Sequence, residues 1–208
     1  LTLPHFVADF FLRPIYAEFC QRYPQIELEI SVSDAVVNLL ADGFDAGIRF
    51  GDCIEEGMVA RPLTPPMLEA VFASPAYLAA HGTPHEVAAL TRHKRIQYRF
   101  IRANQLAPMT LMRDGEEVRI DMPTALVVND TGMMVDAAIR GLGIGRMVLP
   151  VVAPALASGA LCPILRPAWR TIPGLHLFYP QHSQKAKRIR VLIDLLTAHA
   201  ITDWPAVS

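Results

Sequence analysis

The sequence predicts an α/β protein made of two halves, each with a sheet of mainly parallel strands covered by helices. Apolar residues alternate with polar ones over residues 26–32, which is typical of a strand with one wet face. Segments of this kind alternate with helical patterns over short connections, which favours parallel strands joined by right-handed crossovers. Breaks near residues 73 and 173 then indicate that the chain leaves the first half, builds a second, and returns.

In the first half, a helix is predicted between Pro14, which suits a first helical turn, and Pro24, which stops it. Its apolar stripe consists of Leu12, Ile15, Tyr16, Phe19 and Tyr23. The predicted strands are residues 1–3, 26–32, 45–50, 59–63 and 68–73. A second, short helix over residues 34–41 is predicted because Asp34 can cap it and Gly43 can end it.

In the second half, Ser74 and Pro75 predict a helix start, with the Ser as cap and the Pro in the first helical position. The predicted strands are residues 96–98, 110–113, 118–121, 125–129, 144–147 and 161–165. Helices are expected from Asp130 or Thr131 to Arg140 and over residues 152–157. A strand at 175–179 and an apolar helical stripe from Ile189 to Ala200 are expected to complete the first half. The predicted division is therefore 1–73 with 174–208, and 74–173.

Composition excludes several classes of protein. The 208 residues carry 19 Lys+Arg and 20 Asp+Glu, so this chain by itself lacks the basic excess of a nucleic-acid coat. No apolar stretch reaches the roughly 20 residues that span a bilayer, so no membrane partner is expected. The three cysteines are far apart in sequence and indicate neither a disulfide framework nor a zinc site. A reducing cytoplasm is the expected compartment.

Motifs for catalysis or cofactor binding are not found. Residues 140–145 carry glycines at alternate positions, but they follow a helix and precede a strand, the reverse of a dinucleotide-binding loop. His81 and His85 are four residues apart, yet Gly82 and Pro84 would break the helix that a metal-binding His pair needs. No catalytic residue, metal or cofactor is therefore predicted.

An ordered set of short motifs resembles the effector-binding domain of LysR-type transcriptional regulators. The set is Phe19-x-x-x-Tyr23-Pro24, Asp42-Gly43-Phe44-Asp45-Ala46-Gly47-Ile48-Arg49-Phe50-Gly51, Ala73-Ser74-Pro75-Ala76-Tyr77-Leu78, Val128-Asn129-Asp130, Gly141-Leu142-Gly143-Ile144, and Gly159-Ala160-Leu161 before Trp169. The resemblance implies two Rossmann-like subdomains joined by two crossover segments, a type 2 periplasmic-binding-protein-like fold. It also implies a small-molecule effector in the cleft between them, and a homodimer or homotetramer. Promoter DNA would be bound only through a winged helix-turn-helix, which should lie before Leu1 and is absent from this chain.

Most candidate effector-binding residues follow from the rule that ligands of open parallel sheets bind beyond the carboxyl ends of the strands; Ser74 near the hinge, Arg99 facing the cleft from the second lobe and Tyr179 in an apolar wall are added to them. They are His5, Phe6, Ser33, Asp34, Arg49, Phe50, Gly51, Ser74, Arg99, Asn129, Asp130, Thr131 and Tyr179. The resemblance places effector contacts in the loops that hold most of them. Helix starts and Arg49 supply donors, so the expected effector is a small anion, most simply a carboxylate.

Each candidate also has a purely structural interpretation. Ser33, Ser74 and Asp130 can be helix caps that make no contact with a ligand. Arg49 can pair with Asp45, Asp52 or a carboxylate of the second lobe. His5 can be a buried, satisfied histidine, and the strand phase of Arg99, considered together with Tyr98 and Arg102, is open. Tyr179 and Phe50 can be core residues, since lone aromatic side chains usually are.

Two other functions compete with a ligand-sensing regulatory domain. A free solute-binding protein of a transport system would use the same fold, with a signal peptide ahead of Leu1. An α/β enzyme would need a reactive cluster that the sequence does not show. Dimer contacts are expected to use the helix at residues 34–41 or the one at 14–23, together with the C-terminal helix of the partner.

Overall fold

The computed structural model describes residues 1–35, 38–39, 41–54, 57–100, 104–181, 183 and 186–203. The chain forms two compact units, Leu1–Pro66 with Pro173–Ser208 and Met67–Ile172. The first division thus falls before the strand Met67–Ala73 and not after it, because that strand pairs only with strands of the second unit. The second division falls between Ile172 and Pro173.

Runs of one or more strands are separated by α-helices along the chain. The strands are β1 (Thr2–Leu3), β2 (Ser31–Val32), β3 (Gly47–Phe50), β4 (Met58–Pro62), β5 (Met67–Ala73), β6 (Arg95–Phe100), β7 (Gln105–Leu106), β8 (Met109–Arg113), β9 (Glu116–Ile120), β10 (Thr124–Val128), β11 (Gly145–Val148), β12 (Cys162–Pro163), β13 (Arg170–Ile172) and β14 (Leu175–Pro180). The α-helices are α1 (His5–Val7), α2 (Tyr16–Arg22), α3 (Pro75–His81), α4 (Thr131–Ile139), α5 (Leu149–Ala157) and α6 (Lys187–Ala198).

The first unit contains a five-stranded sheet in the order β2-β1-β3-β14-β4. β1 runs parallel to both β2 and β3, whereas β14 runs antiparallel to β3 and β4. Helix α6 turns one apolar face toward the core, and its buried residues are Ile189, Leu192, Ile193, Leu195 and Leu196. Each such side chain contributes about 2 kcal/mol when fully buried. The stripe predicted for this helix is confirmed from Ile189 to Leu196, whereas Ala200 lies beyond the end of the helix at Ala198.

Two predictions for the first unit need correction. The helix was predicted to begin at Pro14, but helical structure already starts with α1, which continues into a π-helix over Ala8–Leu12, and α2 begins only at Tyr16. Residues 26–30 keep their alternating exposure, yet only Ser31–Val32 is assigned as strand, and Val32 is 38% exposed. The alternation predicted that Val32 would be buried. Because β2 is the edge strand of the sheet, no further strand pairs with its outer side to hold Val32 in that orientation. Residues 36, 37 and 40 of the predicted helix at 34–41 lie outside the described residues.

The second unit is built around β5 and β6. β5 pairs antiparallel with β11, β12 and β13, whereas β6 pairs parallel with β10. Ile144, just before β11, bridges Arg95 of β6 in parallel. β8 and β9 form a hairpin whose turn has Asp114 and Gly115 at positive φ, the geometry of a type I′ turn.

Both predicted helix caps of the second unit are confirmed. The Ser74 hydroxyl accepts a hydrogen bond from the Tyr77 N–H at 3.2 Å, with Pro75 in the first turn of α3. The Asp130 carboxylate accepts from the Met133 N–H at 2.7 Å at the start of α4. These bonds satisfy N–H groups that the helix itself leaves without acceptors.

Among the described helices, none combines the length and apolarity needed to cross a membrane. The three cysteines are free thiols. Cys20 and Cys53 are exposed, and Cys162 is partly buried.

Candidate functional site

One edge of the first sheet collects several predicted site residues. Because β1, β2 and β3 are parallel, their carboxyl ends lie at the same edge. His5 follows β1 and Asp34 follows β2, and the His5 N–H donates to Asp34 Oδ1 at 2.9 Å. The Nδ1 atom of His5 lies 3.6 Å from Asp34 Oδ2, and the His5 side chain is 53% exposed. The alternative of a buried histidine is therefore wrong for His5.

Arg49 lies at the same edge, but it points into the protein and is 8% exposed. Its Nη1 donates to its neighbour's carbonyl, that of Ile48, at 2.8 Å. Its Nη2 donates to the carbonyl oxygens of Ser33 and Ala35 at 3.1 Å each, and to Thr2 Oγ1 at 3.4 Å. Burial lowers the pKa of Arg49 while the Asp34 carboxylate raises it, and an arginine stays charged at neutral pH.

The pairing expected for Arg49 does not occur within the described residues. Neither Asp45 nor Asp52 lies within ion-pairing distance of it, and its hydrogen bonds go to oxygens without formal charge. The residue ties β3 to β1 and to the turn after β2. In that turn the Ser33 hydroxyl accepts from the Ala35 N–H at 3.2 Å, a local side-chain turn; whether Ser33 caps a helix stays a prediction, because part of that helix lies outside the described residues.

Phe6, Phe50 and Gly51 complete this edge. The rings of Phe6 and Phe50 stack with their centroids 5.6 Å apart and their planes 23° apart. A Cβ atom on Gly51 would lie 2.9 Å from the His176 ring, so a larger residue would have to displace that ring. The edge thus offers an exposed imidazole beside an aromatic pair, with the buried Arg49 charge beneath it.

Tyr179 is not at this edge. β14 runs antiparallel to β3 and pairs its Leu175 with Phe50 and its Phe178 with Gly47. Tyr179 therefore lies beside the amino end of β3, at the opposite side of the sheet, where it is 1% exposed. Tyr179 is therefore a core residue, as the structural alternative had it. It does not lie at the edge where its effector contact was expected.

A second edge lies in the second unit, where β6 and β10 end together. The register pairs Val128 with Tyr98, so Arg99 comes next to Asn129, Asp130 and Thr131. Arg99 Nη1 donates to Asn104 Oδ1 at 2.9 Å, and the Asp130 carboxylate caps α4. Arg102 lies outside the described residues. The cleft expected between the two edges stays a prediction.

Ser74 lies at the other end of the second unit. β5 runs antiparallel to β11. Ile144, just before β11, pairs in parallel with Arg95 at the start of β6. The carboxyl end of β5 therefore meets the amino end of β6, and the Tyr77 hydroxyl accepts from the Lys94 N–H there at 2.9 Å. Ser74 is 2% exposed, which agrees with its interpretation as a helix cap, and its expected effector contact stays a prediction.

A row of buried polar side chains inside the second unit was not predicted from the sequence. Arg95, Gln97 and Arg146 occupy inward positions and are mostly buried. The signal was the alternation in residues 95–99, where every second residue is polar; it resembles a wet strand face. Within either unit taken by itself, the described residues do not group three metal-ligating side chains, and no cofactor-binding loop was identified.

Comparison with known proteins gives consistent similarities. A family model described as "LysR substrate binding domain" matches residues 1–201. The chain is 33% identical over 94% of its length to the uncharacterized HTH-type transcriptional regulator YhjC of Escherichia coli K12, and 27% identical over 94% of its length to PgrR of the same organism. It spans 65% and 66% of the lengths of these two relatives.

A solved structure agrees. The regulatory domain of CrgA from Neisseria meningitidis, a LysR-type transcriptional regulator, superposes with a TM-score of 0.78 at 26% identity, covering 96% of this chain and 98% of that one. The similarity confirms the fold class predicted from the sequence, the type 2 periplasmic-binding-protein-like fold.

Proposed function

Because this chain belongs to the LysR substrate binding domain family, we propose that it is the sensing part of a transcriptional regulator and that its effector is a small anionic metabolite. The observation that carries the proposal is the edge where β1, β2 and β3 end. There the exposed His5 side chain supplies donors, and Arg49 supplies a positive charge that does not titrate. The stacked Phe6 and Phe50 rings suit an effector whose body is apolar.

The role of Arg49 in this proposal is indirect. Its hydrogen bonds hold the Ser33 and Ala35 carbonyls, so its charge acts on the effector through space and through the loop that it fixes. The Asp34 carboxylate accepts a hydrogen bond from the His5 backbone N–H, and this donor offsets part of its repulsion of an anion. A buried cation interacts strongly at short range because the protein interior screens charge less than water does.

The test is calorimetric titration of the chain with small carboxylates, each compared with its neutral amide of equal shape. We expect carboxylates to bind and their amides to bind at least tenfold more weakly. Binding of the amides alone would contradict an anionic effector. In the His5→Gln variant we expect about tenfold weaker binding, with Arg13→Gln as the matched exposed control.

We further propose that effector binding favours one of two conformations and that the shift is limited by the difference in affinity for them. The whole protein would be a homodimer or homotetramer that contacts promoter DNA through a helix-turn-helix outside this chain. The names of YhjC and PgrR, both HTH-type transcriptional regulators, support this proposal. Light scattering of the full-length protein, with and without effector, tests the assembly.

The comparisons favour a regulator over the alternative of a free solute-binding protein, because the relatives are named as transcriptional regulators. We propose that the effector is bound without chemical change, which recovery of unaltered ligand after incubation with the chain would test. The cytoplasm, predicted from the separated cysteines, stays the proposed compartment.

A further inference from the structure

A row of polar side chains crosses the buried face of the sheet in the second unit. The parallel bridge of Arg95 with Ile144 places Gln97 opposite Arg146, two residues further along each strand. Paired residues of neighbouring strands share a face, and so do residues two apart. Arg95, Gln97 and Arg146 therefore lie side by side, on the face that also carries the buried Ile144.

From Arg146 outward, the row alternates in charge. Arg146 Nη1 lies 3.5 Å from Glu69 Oε2, and the same carboxylate accepts a hydrogen bond from Arg170 Nε. Arg170 Nη1 then lies 3.4 Å from Glu117 Oε2. Each cation in this part of the row has a carboxylate neighbour, as buried charges require.

The other end of the row lacks such a neighbour. Arg95 is 8% exposed. With the Gln97 amide oriented to satisfy both groups, its oxygen accepts from Arg95 Nε and Nη2 at 2.8 Å each. Arg95 Nη1 donates to the Ala107 carbonyl at a long 3.4 Å. Among the described residues no carboxylate lies within ion-pairing distance of Arg95, although the Asp121 carboxylate acts on it from further away. Its next charged neighbour along the row is Arg146, of the same sign.

A small cavity separates the neighbourhoods of these two arginines. Its volume is about 20 Å³, and its lining includes Arg95, Arg146, Gln97, Met109 and Met134, with no acidic residue. A volume above roughly 10–15 Å³ is enough for one water molecule, so it also suits one monatomic anion. Burial lowers the pKa of both arginines. The Asp121 carboxylate raises that of Arg95 and Glu69 raises that of Arg146, whereas Arg170 and then Arg95 lower that of Arg146.

We propose that this cavity is a binding site for one halide-sized anion, chloride under cellular conditions, held between the guanidinium groups of Arg95 and Arg146. The anion supplies the negative charge that the alternating row lacks at this point. The two guanidinium groups provide N–H donors, and Met109 and Met134 are among the residues that line the site. Polyatomic carboxylates do not fit the volume. The site is thus separate from the effector site proposed above and does not depend on it.

The experiment measures thermal unfolding of the chain at one constant ionic strength while gluconate, which is too large for the cavity, is exchanged for chloride or bromide. We expect a saturable rise in Tm of about 3 °C at a halide concentration ten times the dissociation constant. Arg146→Met should abolish the difference between halide and gluconate. Arg119→Met, which removes an exposed arginine of β9 in the same unit, should preserve it.

A second measurement covers the case in which Arg146→Met does not fold. Crystals of the unaltered chain grown in bromide should show an anomalous scattering peak within hydrogen-bonding distance of both arginines. A water molecule in place of bromide, or equal Tm values in gluconate and halide, would overturn the proposal. A halide effect that survives in a folded Arg146→Met variant would overturn it as well.

Discussion

The Nη2 atom of Arg49 lies 3.1 Å from the backbone carbonyl oxygen of Ser33. The charged side chain of Arg49, on β3, thereby fixes the turn that follows β2, two strands away in the sheet. Among the described residues, no carboxylate lies within ion-pairing distance of it. Hydrogen bonds from a charged donor are stronger than those between neutral groups. The residue therefore supports the architecture of the edge at which the effector is proposed to bind.

Replacing Arg49 should cost stability. In Arg49→Met, the Ser33, Ala35 and Ile48 carbonyls lose their buried donor, and we expect about 3 kcal/mol lower free energy of unfolding. Urea denaturation measures it. Arg13→Met, which removes an exposed arginine paired with Asp9 on the surface, should change stability by less than about 0.5 kcal/mol. Equal effects of the two substitutions would refute the structural role of Arg49.

Asp130 allows cap and ligand roles to be separated. Its carboxylate accepts from the Met133 N–H at 2.7 Å, so Asp130→Ala should lower the free energy of unfolding by about 1 kcal/mol. Asp130→Ser keeps a capping oxygen and should restore most of that stability. If both variants denature at the same urea concentration as the original chain, the cap contributes nothing.

His93 should make the second unit sensitive to acid. It is 6% exposed, its Nδ1 has no hydrogen-bond partner among the described residues, and the Tyr77 ring lies 5.9 Å away. Burial lowers the pKa of His93, and the nearby His81 lowers it further. The unfolded chain therefore binds a proton more readily than the folded one, and stability falls as the pH drops below the unfolded pKa of about 6.5.

Urea denaturation at pH 7, 6 and 5 measures this loss of stability. His93→Gln should flatten the dependence on pH, whereas the exposed His85→Gln should leave it unchanged. A His93 variant with the same slope as the original chain would show that other groups cause the acid sensitivity.

Cys53 should be a slow nucleophile even though part of the residue is exposed. Burial of the thiol, with the Asp52 carboxylate beside it, raises the pKa of Cys53 from 9.0 to about 11. At neutral pH the thiolate fraction is then about 100-fold lower than for an unperturbed thiol. Iodoacetamide labelling of a Cys20→Ser, Cys162→Ser chain should accelerate up to about pH 11. A rate that levels off near pH 9 would contradict this assignment.

Local signals in the sequence predicted local structure well. Ser74-Pro75 and Asp130 mark helix starts because a capping side chain acts within three residues of itself. The edge at His5 and Asp34 was also predictable, since parallel strands must end together. The amphipathic pattern of α6 identified its buried face, because a helix that packs on one side of a sheet buries the apolar stripe that faces the sheet.

Properties that depend on distant partners could not be predicted. The place of Tyr179 depends on β14 running antiparallel to β3, and the place of Ser74 on β5 running antiparallel to β11. A strand pattern does not state the direction of its neighbour. Likewise, alternating polar residues at 95–99 indicate a wet face unless other side chains, here including Met109 and Met134, cover it. Arg95 and Gln97 were missed for that reason.

The contrast between His5 and Arg49 also guides the engineering of a biosensor from this chain. A library that randomises the exposed position 5 would sample new ligand preferences while leaving the scaffold intact. Randomising position 49 would mostly yield clones that express poorly. A screen would then take their missing sensor signal for a loss of ligand binding.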